Sequence, residues 1–134
     1  MSETLIEAVN LKKYFPTNAG VVHAVDDVSF KIKAGQTIGV VGESGCGKST
    51  LGRTLIRLYQ PTEGKVLYRG QDIAAMGKKD FSAVQKQMQM IFQDPYSSIN
   101  PHFSVGETIL DPLKVSKLIT DKKERLEKVA ETME

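Results

Sequence analysis

An α/β fold is expected, and three features of the 134-residue chain point to it. Val28, Phe30 and Ile32 alternate with Ser29, Lys31 and Lys33, the period of an antiparallel strand with one face on a core. Thr37-Ile38-Gly39-Val40-Val41 is a short apolar run of the kind buried on both faces of a sheet. A glycine-rich stretch then leads into a helical pattern that starts at Lys48.

The elements follow in order. Leu5 to Phe15 reads as a strand closing at Pro16, with Asn18-Ala19-Gly20 as the turn. Val21 to Lys33 is the second strand, and Ala34-Gly35-Gln36 turns into the apolar run at 37–41. Lys48 to Tyr59 carries Leu51, Leu55 and Leu58 at helical spacing, and Gln60-Pro61-Thr62-Glu63-Gly64 stops it. Lys65 to Tyr68 is a short strand, and Gln71-Asp72-Ile73 lies beyond a turn at Gly70. Lys79 to Met88 is expected to be helical through Phe81, Val84 and Met88, and Met90-Ile91-Phe92 reads as another buried strand. Gln93 to His102 is loop, and Ser104-Val105-Gly106-Glu107 has the spacing of a capping box opening a helix. Pro112 should end or kink that helix. Asp121 to Glu134 is an amphipathic helix with Leu126, Val129, Ala130 and Met133 on one stripe.

Composition narrows the classes of function. With 40% hydrophobic and 25% charged residues the chain is ordinary for one small globular domain. Eighteen basic against sixteen acidic side chains, a net charge of +2, give no basic face, so no nucleic-acid partner is expected. A single cysteine, Cys46, excludes an internal disulfide and fits a reducing compartment. No apolar run approaches the roughly 20 residues of a membrane span, and no signal peptide opens the chain. A soluble, cytoplasmic polypeptide is expected, with docking on a membrane protein left open.

The chemistry concentrates in Gly42-Glu43-Ser44-Gly45-Cys46-Gly47-Lys48-Ser49, a complete phosphate-binding P-loop pattern. Its glycines let the backbone curl so that consecutive N–H groups face one anion, and the helix that follows adds its positive dipole end. Lys48 can reach the β- and γ-phosphates, and the Ser49 hydroxyl can hold Mg²⁺. The alternative is a glycine-rich turn with a solvated lysine. Hydrolysis also needs a second carboxylate for the metal. Asp94, after Met90-Ile91-Phe92-Gln93, is the nearest candidate, but the short run and Pro95 favour a loop acid. His23 and His102 stand isolated and read as structural or surface residues.

These residues resemble the ATP-binding subunits of ABC transporters, and the resemblance covers nearly the whole chain. Val40 to Thr50 is similar to that family's P-loop, and Ile91-Phe92-Gln93-Asp94-Pro95 resembles its Q-loop. The resemblance implies ATP and Mg²⁺ as cofactors, with contacts from Gly42, Glu43, Ser44, Gly45, Cys46, Gly47, Lys48, Ser49, Thr50 and Gln93. Ser49 and Gln93 would serve the metal, Gln93 would position water, and Tyr14 would stack on adenine. It also implies an antiparallel β subdomain with the P-loop core over 1–92, and the Q-loop with the start of a helical subdomain over 93–134. Implied partners are a second ATP-binding subunit, arranged head to tail, and transmembrane permease subunits that hold the protein at the inner membrane face.

Ala24 to Phe30, Gly52-Arg53 and Ser97-Ser98-Ile99-Asn100-Pro101 look like dipeptide and oligopeptide importers, the Gly52-Arg53 pair like their second ATPase subunit. Nickel importers share much of this pattern and remain an alternative, as does another P-loop enzyme such as a nucleotide kinase. A pure interaction module with a vestigial loop is disfavoured by the intact Lys48 and Ser49. The family's Leu-Ser-Gly-Gly-Gln signature, Walker B strand with catalytic glutamate, and switch histidine have no counterpart in the sequence. An amino-terminal fragment is therefore expected, one that binds nucleotide weakly, does not turn it over alone, and self-associates through the unpaired run at 37–41.

Overall fold

The computed structural model describes residues 3–134. They form two compact units, the first ending at Gln89 and the second spanning Met90–Glu134.

The first unit is built on one antiparallel sheet. Strand β1 (Thr4–Thr17) pairs with β2 (Gly20–Lys33), and the register Thr17↔Gly20 leaves Asn18-Ala19 as a two-residue turn. β1 also pairs with β3 (Glu63–Tyr68), which turns through Arg69-Gly70 into the short β4 (Gln71–Asp72), giving the order β2-β1-β3-β4. β1 runs through Pro16 rather than stopping before it. Its pairing with β3 ends at Lys12↔Glu63, so the proline lies where β1 has a neighbour on one side only.

Asn10 (φ 45°) and Asp27 (φ 51°) are left-handed and interrupt the β1–β2 register. The Asn10 side-chain amide donates to Asp27 Oδ1 at 2.8 Å, and its backbone N–H donates to Ser29 Oγ at 2.8 Å. This irregularity shifts the phase of β2. Val25 is buried, yet Val28, Phe30 and Ile32 continue the inward face three residues on.

Helix α1 (Lys48–Leu55) and helix α2 (Lys78–Gln85) follow β2 and β4 respectively. Ala8, Leu11, Val25, Val66, Tyr68, Ile73 and Val84 form the buried core, with Leu51, Leu55, Phe81 and Met88 packed against it. α1 stops four residues before the expected Tyr59. Arg57 turns left-handed (φ 59°), and the N–H groups of Leu58 and Tyr59 fold back to the Arg53 carbonyl at 2.8 and 3.2 Å. Leu58 is consequently exposed.

The strand expected at Thr37–Val41 is not formed. The four-stranded sheet is complete without it, and no described strand hydrogen-bonds to it. An apolar strand without a partner leaves its backbone groups to water. Val41 is accordingly 96% exposed.

In the second unit, Met90-Ile91-Phe92 likewise forms no strand, and Ile91 is exposed. Asp94 caps the single-turn α3 (Pro95–Ser98), accepting from the N–H groups of Tyr96 and Ser97 at 3.0 and 3.3 Å. α4 (Val105–Ser116) opens with the expected capping box: Glu107 N–H donates to Ser104 Oγ, and Ser104 N–H donates to Glu107 Oε2 at 2.8 Å. Pro112 does not end α4, which continues one turn to Ser116. Proline removes one N–H from the ladder, and the helix retains its capping box and its packing on α5. α5 (Lys122–Met133) is capped by Asp121 and buries Val129 beside Gly106 of α4, while Leu126, Ala130 and Met133 of the expected stripe stay exposed.

Candidate phosphate-binding site

Gly47 is the N-cap of α1, with φ 98° and ψ 3° and no capping side chain. The first helical hydrogen bond runs from Leu51 N–H to the Gly47 carbonyl at 2.8 Å, so the amides ahead of it in the first turn have no acceptor within the helix. No acidic residue stands in that turn to take the positive end of the helix dipole. Open amides and an unopposed dipole are what an anion needs.

The loop before the helix is shaped by its own lysine. Lys48 Nζ donates to the carbonyls of Gly42 and Glu43 at 2.6 and 2.7 Å and lies 3.5 Å from Cys46 Sγ. A turn bond from Cys46 N–H to Glu43 O at 3.3 Å closes the curl. Gly47 fixes the loop's seat on the sheet, because a Cβ there would fall on the Ala24 carbonyl of β2. A cleft of about 300 Å³ adjoins this contact, with Gly47, Lys48, Val25, Val28, His23 and Asp26 among the residues that line it.

The fold thus brings Gly42, Glu43, Ser44, Gly45, Cys46, Gly47, Lys48, Ser49 and Thr50 together in one loop and helix start. Ser49 is exposed in the first turn of α1, and the Thr50 carbonyl accepts from Thr54 Oγ1 at 2.7 Å. One hydroxyl does not hold a cation alone. Among the described residues no group of three or more His, Cys, Asp or Glu is gathered as a metal site. The exposed Ser49 hydroxyl is a hard oxygen donor, the ligand type that suits Mg²⁺. Asp94 spends its carboxylate on capping α3, in keeping with a loop acid. Gln93 is exposed and belongs to the second unit.

Tyr14 sits on β1 opposite His23 of β2, and the two rings stack at 3.9 Å with an interplanar angle of 13°. The Tyr14 hydroxyl donates to Asp26 Oδ1, and His23 Nδ1 lies 3.8 Å from Asp26 Oδ2. The bond to Asp26 raises the tyrosine pKa above its ordinary value, and the same bond holds the Asp26 carboxyl below the usual carboxylate range. His23 and Asp26 line the cleft. Sequence reading treats His23 as an isolated structural or surface residue and passes over Asp26 as a candidate. The available signal is register: a two-residue turn at Asn18-Ala19 pairs Thr17 with Gly20 and hence Tyr14 with His23.

A glycine loop feeding an open helix start, set against a β framework, defines the class of P-loop phosphate-binding α/β domains. The family described as "ABC transporter" matches residues 25–134, and the chain belongs to it. It is 49% identical over 135 residues to the oligopeptide transport ATP-binding protein OppF of Bacillus subtilis, covering 100% of this chain and 44% of that one. To the oligopeptide transport ATP-binding protein AppF of the same organism it is 48% identical over 139 residues, covering 98% of this chain and 42% of the relative. The chain thus spans less than half the length of these curated relatives. Among solved structures, the ATP-binding cassette MJ0796 in a post-hydrolysis state with ADP and Pi superposes with a TM-score of 0.78 at 22% identity, over 95% of this chain and 55% of that one. This likeness shows the ABC cassette fold. Among the described residues no helix is long and apolar enough to cross a membrane.

Proposed function

We propose that this chain is the P-loop part of the ATPase subunit of a peptide-importing ABC transporter, binding ATP with Mg²⁺ at Gly42–Thr50. The observation that carries the reading is the Lys48 ammonium held at the mouth of a loop whose helix amides are open. On binding, Lys48 exchanges its two carbonyl acceptors for phosphate oxygens, the amides at the start of α1 take the rest of the anion, and the Ser49 hydroxyl becomes one ligand of the cation. When bound, Mg²⁺ neutralises phosphate charge and orients the terminal phosphoryl group. Gln93 is assigned to positioning water and the metal, and Tyr14 to stacking on adenine.

Peptide uptake is supported by the oligopeptide transport names of relatives near 50% identity. A second ATP-binding subunit and membrane permease subunits are the partners this reading requires, with the protein peripheral on the inner membrane face. Residues 1–92 act as the amino-terminal part of the nucleotide domain and 93–134 as the Q-loop and the start of a helical subdomain. The test is isothermal titration of the chain and its Lys48→Ala variant with Mg-ATP. Binding by the chain and its loss in the variant are expected; equal affinities would sink the assignment.

A further inference from the structure

We propose that the exit of α1, residues 59–62, is a brace that fixes Tyr14 relative to the phosphate helix, with Thr62 as the positioning residue. This rests on the reading of Gly42–Thr50 as the triphosphate site and of Tyr14 as the ring on adenine, and it adds what keeps the two at a set separation. The sheet alone does not hold Tyr14 on both sides. The β1–β3 ladder ends at Lys12↔Glu63, and the β1–β2 register shifts between Lys13 and Tyr14. Pro61 has no N–H with which to carry the ladder further. Thr62 takes over: its N–H donates to the Lys12 carbonyl at 2.8 Å, and its Oγ1 accepts from the Tyr14 N–H at 2.9 Å. A side-chain hydroxyl stands in for a ladder acceptor, and the backbone it holds is that of Tyr14 itself.

The same segment is tied back to α1. The left-handed turn at Arg57 returns the Tyr59 N–H to the Arg53 carbonyl at 3.2 Å, and Arg53 Nη1 donates to the Tyr59 hydroxyl at 3.4 Å. Arg53 therefore holds Tyr59 at both its backbone and its ring tip. The Tyr59 ring meets Phe15, the residue after Tyr14, edge-on at 5.4 Å and 82°. On the other side of Tyr14 in sequence, Lys13 Nζ lies 4.9 Å from the centre of the Phe15 ring. The links run from Lys48 along α1 to Arg53, then through Tyr59 and Thr62 to β1 at Tyr14. A nucleoside triphosphate spans a fixed length from its phosphates to its base. Loosening the brace should therefore cost the ligand its base contact and spare its phosphates.

The experiment compares Mg-ATP with Mg-tripolyphosphate, which has the phosphates and no base, on the full 134-residue chain and its variants. These are Thr62→Val, Thr62→Ser, Tyr14→Ala, and Tyr14→Ala combined with Thr62→Val. Thr62→Val keeps the shape and removes the acceptor, so it should weaken ATP about 2- to 10-fold and leave tripolyphosphate unchanged. Thr62→Ser retains a hydroxyl and should bind ATP as the unaltered chain does. Added to Tyr14→Ala, Thr62→Val should bring no further loss, because the brace acts through that one residue. Unchanged ATP affinity in Thr62→Val, with Tyr14→Ala defective, overturns the brace and leaves Tyr14 on adenine. Equal loss of both ligands in Thr62→Val, or a further loss on the Tyr14→Ala background, means a general structural role and overturns it too. Unchanged ATP affinity in Tyr14→Ala overturns the stacking reading, and the inference with it.

Discussion

Replacing Gly47 by alanine tests whether the phosphate loop is seated on the sheet. Two costs meet at this position. At φ 98° an L-residue is strained by about 1–2 kcal/mol. The new methyl would also fall on the Ala24 carbonyl, a backbone atom of a paired strand that cannot rotate aside, and forced overpacking of this kind costs about 1–3 kcal/mol. The sum is about 2–5 kcal/mol, capped by the free energy of detaching the first turn of α1. Gly45→Ala is the control, since its φ of 79° is also left-handed but its Cβ meets nothing within 4 Å. That variant should lose only the strain, about 1–2 kcal/mol. Urea unfolding followed by circular dichroism gives the stabilities, and amide exchange at Leu51, whose N–H bonds to Gly47, reports local detachment. Gly47→Ala should be the less stable of the pair or exchange faster at Leu51. Equal unfolding midpoints together with equal Leu51 protection would refute the contact between loop and β2.

Other positions give simpler outcomes. Leu11→Ala, at 0% exposure in the centre of the first unit, should cost about 2–5 kcal/mol in urea unfolding. Ser104→Ala should cost α4 about 0.5–2 kcal/mol by removing the capping hydroxyl, read as a loss of helicity. The Ser104 backbone and side chain depress the Glu107 pKa below its ordinary 4.5 in the folded protein, so this part of the cap is present above that value and is lost as pH falls through the lower folded one; Glu107→Gln should flatten that acid limb of the stability profile. Val41→Lys with Ile91→Lys, at sites 96% and 95% exposed, should leave stability within about 0.5 kcal/mol while reducing concentration-dependent association in light scattering. Association unchanged by that pair would remove the apolar runs as its cause.

What could be read from the sequence divides by the range of the interactions involved. Capping at Ser104 is a local matter of residue type and spacing, and the expected box is present. The P-loop is local too, because glycine spacing and one lysine specify a backbone shape. Phase shifts are less visible: nothing in Asn10 or Asp27 announces that their side chains will pair and carry β2 through an irregularity. Arg57 is an unusual residue to end a helix left-handed, and the expected stop at Gln60-Pro61 lies several residues later. Thr37–Val41 shows the limit most clearly. Its composition records the burial it is suited to, whereas strand formation requires hydrogen-bonding partners that composition does not supply. The Tyr14–His23 stack lies between these cases, since it follows from the hairpin register once the two-residue turn is accepted.

The exposed run at 37–41 also clarifies what holds the phosphate loop in shape. If a paired strand ahead of the loop were required, residues 42–47 would be as unstructured as the segment that leads into them. Instead the loop is curled, held by the Lys48 ammonium on two carbonyls from inside and by the approach of Gly47 to Ala24 from outside. Both supports lie in β2, the loop itself and α1, and neither involves the run at 37–41. The arrangement has an energetic consequence for the ligand. Lys48 is already hydrogen-bonded, so a phosphate gains only the difference between two neutral carbonyl acceptors and its own charged oxygens. The open amides of α1 face no such competitor. They, more than the lysine, should set the part of the affinity that depends on the helix start, while Lys48 distinguishes a ligand charged enough to draw it from its resting partners.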